Sequence, residues 1–269
     1  MMGERELAEV VEQQQYFEAV PAPSPEEDEG TRDMGPLYPF LISGGTNTER
    51  YYFTHINDTT GYKFNIFPKY FGNEASYTEI FPERIKDIIK NNAGAKIFCV
   101  FDLDTVFCNE TNQKKHQTFE DNLRREIGEG SVVLCPSMPS IEYWFLLHFE
   151  NYTELIKSCG TKLQKLLSPH MLPYFLGTNK KLLNLLKDKK YVESPDWVIE
   201  LCNDGKLELA IERAENNINA AVVADELKNQ SYSYVYKAFK ERKCLCYTLT
   251  NIRWRWLSWS CLSNRAIVT

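Results

Sequence analysis

The sequence predicts an α/β protein: a small parallel sheet flanked by helices, followed by a mostly helical subdomain. Three observations predict it. Between residues 37 and 135, apolar runs of strand length alternate with stretches of helical spacing. Residues 97–101 are apolar without interruption, the mark of a strand buried on both faces. Beyond Pro139 the strand-like runs give way to helical periodicity. The chain has 269 residues, 43% hydrophobic and 25% charged, an ordinary soluble composition. That composition excludes a collagen-like, wholly disordered or multi-span membrane protein.

The elements follow in order. Leu37–Ser43 reads as a strand closed by the turn residues Gly44 and Gly45. Thr46–Ile56 reads as a helix with Asn47 or Thr48 as its cap. Tyr62–Phe71, rich in aromatics, reads as a strand, and Thr78–Asn91 as a helix with Phe81, Ile85 and Ile88 on one face. Lys96–Phe101 is the buried strand, Gln113–Ile127 a helix and Ser131–Cys135 a short strand. The order β-α-β-α-β-α-β argues for a parallel sheet covered on both faces. Pro139 suits a helix start. Ile141–Phe149, Tyr152–Ser158, Lys162–Leu167, Asn179–Lys190, Pro195–Cys202, Leu207–Ala221 and, with breaks, Val222–Lys243 read as helices. The expected organisation is an acidic disordered head (1–36), an α/β domain (37–160), a helical subdomain (161–243) and an atypical tail (244–269).

The net charge of −6 argues against a nucleic-acid partner only until its distribution is read. Residues 1–35 hold ten acids and two bases, so the acidity belongs to the head and the remainder is +2. Residues 4–19 suit a short helix; residues 21–36, with Pro21, Pro23 and Pro25 before an acidic run, read as a linker. The tail carries Arg253-Trp254-Arg255-Trp256, a basic–aromatic alternation found in nucleic-acid or membrane-surface segments; the blander reading is an extension without a defined role. None of the eight cysteines forms a C-x-x-C pair, so zinc-ribbon spacing is absent and reduced cysteines are expected. No secretory pattern and no run of about 20 apolar residues appears, which points to a cytoplasmic protein with no membrane span.

The chemistry concentrates in acids at strand ends. Asp102-Leu103-Asp104 closes the buried strand, and ligands of open parallel sheets bind at the carboxyl ends of strands. Residues i and i+2 of an extended segment point the same way, so both carboxylates can face one crevice. Paired carboxylates resist ionisation unless a cation compensates them. Mg²⁺, with Mn²⁺ as the alternative, suits such a pair because it takes oxygen ligands and keeps waters. Against this stands a solvated strand-end pair. Glu49 falls in the first turn of the helix after Gly44-Gly45, where it could simply complement the helix dipole. Glu142 falls in the first turn of the helix after the fourth strand, on the same sheet edge. His148 reads as a packed, hydrogen-bonded histidine rather than a ligand, since six residues separate it from Glu142.

These segments resemble the RloB/AbiL-type family of bacterial defence proteins, whose N-terminal half is similar to a Toprim domain. The resemblance rests on Gly45, Thr48, Glu49, Tyr52 and Phe53; on Phe101, Asp102 and Asp104; on a long motif from Ser137 to Glu150; and on Leu209–Ala214. It covers residues 37–243. It implies a Toprim-like centre with metal at Asp102 and Asp104, an acid–base residue after the first strand for which Glu49 or Glu142 would here substitute, and a nuclease role in anti-phage abortive infection. It also implies an AAA- or ABC-type ATPase encoded nearby, and a nucleic-acid substrate, tRNA or DNA. One departure stands out: the family usually has Cys-Glu-Gly where this chain has Ser43-Gly44-Gly45. Gly44 therefore occupies the place of the expected glutamate, which leaves a second reading open, a catalytically impaired interaction or nucleic-acid-binding subunit of the same system. No G-x-x-x-x-G-K-[ST] loop appears, so any ATPase activity belongs to another chain. Lys114, Lys115, Arg124 and Arg125, with Lys180, Lys181, Lys187, Lys189 and Lys190, are the candidate phosphate contacts, although residue by residue a solvated helix face accounts for them better.

Overall fold

A computed structural model describes residues 38–45, 47–67, 76–127, 130–158, 160–175 and 179–240. Contacts divide the chain into units 1–35 and 36–269, and every described residue lies in the second. The predicted 4–19 helix, the 21–36 linker, the Trp/Arg tail and the outer part of the Tyr62–Phe71 strand lie outside the described residues.

The sheet is built as the alternation predicts. Strands β1 (Phe40–Ser43), β2 (Asn65–Ile66), β3 (Ile97–Asp102) and β4 (Val132–Met138) are parallel, in the order β2-β1-β3-β4. Helices α1 (Thr48–Thr59), α2 (Tyr77–Asn91) and α3 (Glu110–Ile127) connect them. The strand period of two sends alternate residues to opposite faces. Leu41, Phe98 and Val100 join one core with α1, while Ile42, Ile97, Cys99 and Phe101 join the other with Phe81, Ile85 and Phe119 of α2 and α3. Burial on both faces is why β3 reads as an unbroken apolar run. The result is a mixed α/β fold with a mostly parallel sheet flanked by helices, consistent with a Toprim-like arrangement.

After β4 come α4 (Ile141–Leu147), α5 (Thr161–Met171), α6 (Leu182–Lys187), α7 (Lys189–Val192), α8 (Asp196–Cys202) and α9 (Lys206–Val223). They pack on the same core as α1: Trp144, Leu163, Leu186, Trp197 and Ile211 all belong to it. Three helical expectations are corrected. Residues 152–158 form no helix. The Tyr143 hydroxyl takes the Tyr152 carbonyl at 2.6 Å, and the Ile156 amide donates to Ser231 Oγ at 2.8 Å. The Asn179–Lys190 stretch is two helices, because Asp188 stops the first and caps the second, accepting from the Lys190 amide. The Val222–Lys243 stretch contains an unpredicted strand β5 (Tyr232–Ser233), antiparallel to β4, before the short helix α10 (Tyr236–Lys240). Pro139 precedes α4 rather than opening it; Ser140 is the capping residue. The cap of α1 also differs: Asn47 holds the position but aims its side chain at another helix.

Helix α10 closes the larger core. Phe239 is fully buried, stacks 5.7 Å from Trp144, and meets Phe53, Tyr62 and Phe64. Among the described residues, Cys99, Cys108, Cys135 and Cys202 are free. Among the described residues, no helix is long and apolar enough to cross a membrane. Replacing Phe239 by Ala leaves an aromatic-sized hole at this junction. Chemical denaturation of the variant is expected to show a loss of about 3–5 kcal/mol, and a loss below about 1 kcal/mol would mean that α10 is not part of the cooperative core.

Candidate functional site

Three of the four predicted acids meet at the carboxyl ends of β1, β3 and β4. Glu49, Asp102 and Glu142 line one cavity of about 310 Å³, together with Thr48, Ile141 and Lys187. A neighbouring, larger cavity of about 440 Å³ is lined by Glu49, Asp102 and Asp104, with Gly44, Tyr77 and Lys115. Glu49 and Asp102 thus face both spaces, Glu142 the inner one and Asp104 the outer one.

Local backbone chemistry sets these positions. The β3–β4 pairing runs past the strands into the loops: Leu103 N–H donates to the Ser137 and Pro139 carbonyls, and Asp104 N–H to Pro139 at 2.9 Å. This clamp brings the Asp102–Asp104 segment against the start of α4. The Ile141 amide, one of the unpaired donors of a first helical turn, bonds Asp102 Oδ1 at 2.8 Å. Ser140 Oγ donates to Glu142 Oε2 at 2.5 Å, which fixes that carboxylate among buried neighbours. Glu49 curls back over its own helix start, where a Cβ on Gly45 would collide with its carboxylate. Gly45 is therefore the residue that makes room for Glu49. Gly44 is different: a Cβ there would meet Phe101 and Tyr77 at ordinary contact distances of 3.5 and 3.6 Å.

The helical half reaches the site through α1. Thr48 Oγ1 donates to the Leu186 carbonyl at 2.9 Å, Asn47 Nδ2 to the Lys187 carbonyl at 2.7 Å, and His55 Nε2 to the Val192 carbonyl at 2.8 Å. The first two bonds satisfy carbonyls at the end of α6 and hold Lys187 beside the acids. On the outer wall, Tyr77 stacks 4.4 Å from Phe101 and its hydroxyl meets His116 Nδ1 at 2.9 Å.

The electrostatics oppose ionisation. Burial raises the Glu49 carboxyl to about 7; the amides of Glu49 and Gly45 and the Lys187 charge pull it down, while Glu142 pushes it further up. Burial also holds Asp102 well above the carboxylate range, with Glu49, Glu142 and Asp104 adding repulsion and only the Ile141 amide opposing. Of the described residues lining the inner cavity, Lys187 is the cationic one. An oxygen-only donor set that resists its own ionisation fits a hard divalent cation, which supplies the missing positive charge. Among the described residues, no three His, Cys, Asp or Glu side chains form a ready-made metal cage, so waters or a substrate would complete the coordination.

His148 sits outside this centre. Its Nδ1 donates to the Trp144 carbonyl at 3.0 Å, and burial lowers the ring to about 3. It is the packed, neutral histidine that its spacing predicts. Tyr77 and Asn112 line the outer cavity without belonging to any sequence motif that marks them, whereas Ser140 lies within the Ser137–Glu150 motif, which does not reveal its bond to Glu142. Of the predicted phosphate contacts, Lys115 and Lys187 line the site, while Lys180 is paired with Asp188 at 2.8 Å.

Comparison with known proteins adds one result. A family model described as RloB-like protein matches residues 40–241, which contain all four acids. No curated protein and no solved structure matches the chain.

The raised carboxyl gives the site a pH signature. A buried acid whose folded pKa lies above its unfolded value stabilises the fold below the unfolded value, here 4.5, and that stability is lost as pH rises through about 7. Asp102 contributes with the same sign. With chelator present, the melting temperature is expected to fall by roughly 5 °C across that interval, and Glu49→Gln to flatten the fall. Identical pH profiles for the two proteins would contradict this placement of Glu49.

Proposed function

The chain belongs to the RloB-like protein family, and we propose that it is a Mg²⁺-dependent phosphodiesterase that cleaves nucleic acid, the nuclease effector of an ATPase-linked anti-phage system. The observation that carries this reading is the convergence of Glu49, Asp102 and Glu142 on one cavity, with Asp104 on the adjoining one. A strand end has no structural need for such a cluster. Asp102 and Asp104 would hold the ion, with Mn²⁺ the alternative. When bound, it supplies a Lewis acid that polarises the phosphate and stabilises the leaving oxygen.

The remaining roles belong to the chain's own side chains. Glu49 faces both the inner cavity and the outer one, and its carboxyl lies near neutrality, as suits a general base. It takes the proton of the attacking water on a carboxylate oxygen. Glu142 is buried and tied to Ser140, so it positions the centre rather than meeting substrate. Lys187 and Lys115, on opposite sides of the acids, are placed to hold phosphate oxygens. Glu49 also bears on the residue missing at position 44. Its carboxylate folds back onto Gly45, next to the place where the family carries its glutamate.

Gly44 favours a second reading, a subunit that binds nucleic acid and the ATPase without cutting. One assay separates the two. Purified protein, with and without the neighbouring ATPase, is incubated with tRNA and with plasmid DNA in Mg²⁺ or Mn²⁺. Cleavage is expected; Asp102→Ala and Asp104→Ala should abolish it, and Glu49→Gln should slow it about a hundredfold or more. Gly44→Glu, whose Cβ would meet only ordinary contacts, should raise activity. Cleavage that survives loss of both aspartates would overturn the metal assignment. No cleavage of either substrate by an active ATPase complex would favour the second reading.

A further inference from the structure

A third cavity, of about 590 Å³, adjoins the outer acidic one and shares Asp104 with it. Its walls are largely apolar: Phe107, Met138, Leu155, Leu227 and Tyr232. Phe107 lies in a single helical turn (Val106–Cys108) just after Asp104, and 53% of its surface is exposed, unusual for a large aromatic side chain beside a cavity. Lys157 and Lys228 also line the space, and the carboxylates of Asp104 and Asp225 supply acceptors. The outer acidic cavity also shares Thr78 and Lys115 with a groove between α2 and α3 that contains Lys114. The acidic cavity thus adjoins two others: a groove with Lys114 and with Lys115 ion-paired to Glu79 at 3.7 Å, and an apolar cavity with Phe107 and Tyr232.

We propose that the apolar cavity is a base-binding subsite, which takes an unpaired nucleobase of the nucleotide next to the phosphate held at the acids. This rests on the phosphodiesterase reading of the acidic centre and adds a substrate class to it: single-stranded or locally unpaired nucleic acid. The chemistry fits. A base has flat apolar faces that stack on an aromatic ring and polar edges that meet carboxylates or lysines. A paired base keeps its faces inside the helical stack and cannot enter without being flipped out. The lysines supply charge for the flanking phosphates, which a purely apolar small molecule would not need.

The test is a binding experiment on the full chain in an Asp102→Asn background, which blocks cleavage and leaves the lining of the apolar cavity unchanged. The probes are fluorescein-labelled eight-nucleotide single-stranded RNA and DNA, followed by a series in which one abasic site is walked along the strand. One position is expected to dominate, its abasic form binding about tenfold more weakly. Phe107→Ala should cost a similar factor with the intact strand and cancel the penalty at that position. Leu227→Trp, which fills the cavity, should do the same. Tight binding with a flat abasic profile, unchanged by Phe107→Ala, would overturn the subsite and leave the phosphodiesterase reading standing. Failure to bind either strand by a protein whose unmutated form cleaves tRNA or plasmid DNA would overturn the subsite alone; absence of that cleavage as well would remove both.

Discussion

Carboxylates brought together inside a protein repel one another, and burial makes each further ionisation more costly. Glu49 and Asp102 stand in that situation, with Glu142 beside them, and much of the structure around them serves to hold it. The amide of Ile141 grips Asp102, the hydroxyl of Ser140 grips Glu142, and the bare Cα of Gly45 leaves room for Glu49. Each of these supports comes from the loop or first helical turn after a strand. The parallel sheet therefore does more than fill the core: it aligns the ends of β1, β3 and β4 so that three separate segments deliver acids to one place.

The helical half is part of the same construction. Thr48 and Asn47 bond the last carbonyls of α6, and His55 bonds the end of α7, so the helix that carries Glu49 is fastened to the region that supplies Lys187. A single lysine does not neutralise three acids. The imbalance persists until a cation or a protonated carboxyl relieves it, and this is what links the fold to its proposed chemistry. The outer cavity beside Asp104 then gives the reacting phosphate an approach, adjoined by the groove with Lys114 and Lys115 and by the apolar cavity with Phe107.

Much of this was legible in the sequence. The apolar run of β3, the turn at Gly44-Gly45 and the acids at strand ends follow from period and position, and they led to the sheet and to the four candidate acids. What could not be read depends on long-range contacts. Strand β5 is two residues long, too short for any periodicity to reveal, and it exists because Ser233 and Tyr232 meet β4. Residues 152–158 have helical spacing, but Tyr143 and Ser231 capture their backbone groups. The Asn47 side chain serves a helix 140 positions away rather than its own cap. Lys187 at the acids, and the Glu49 carboxylate folded against Gly45, likewise appear only once the chain is folded.

The central claim is that burial and mutual repulsion keep this acid cluster short of full ionisation until a divalent cation arrives. Counting protons released on cation binding tests it most directly. Calorimetric titration of Mn²⁺ into the full chain, in buffers of different ionisation enthalpy, gives that number. At about pH 6.5 the account predicts release of roughly one proton per ion bound, because the Glu49 carboxyl lies near 7 and Asp102 well above the carboxylate range, and less release as pH rises through the Glu49 value. Binding without proton release at the lower pH, or no binding at any pH, would contradict it.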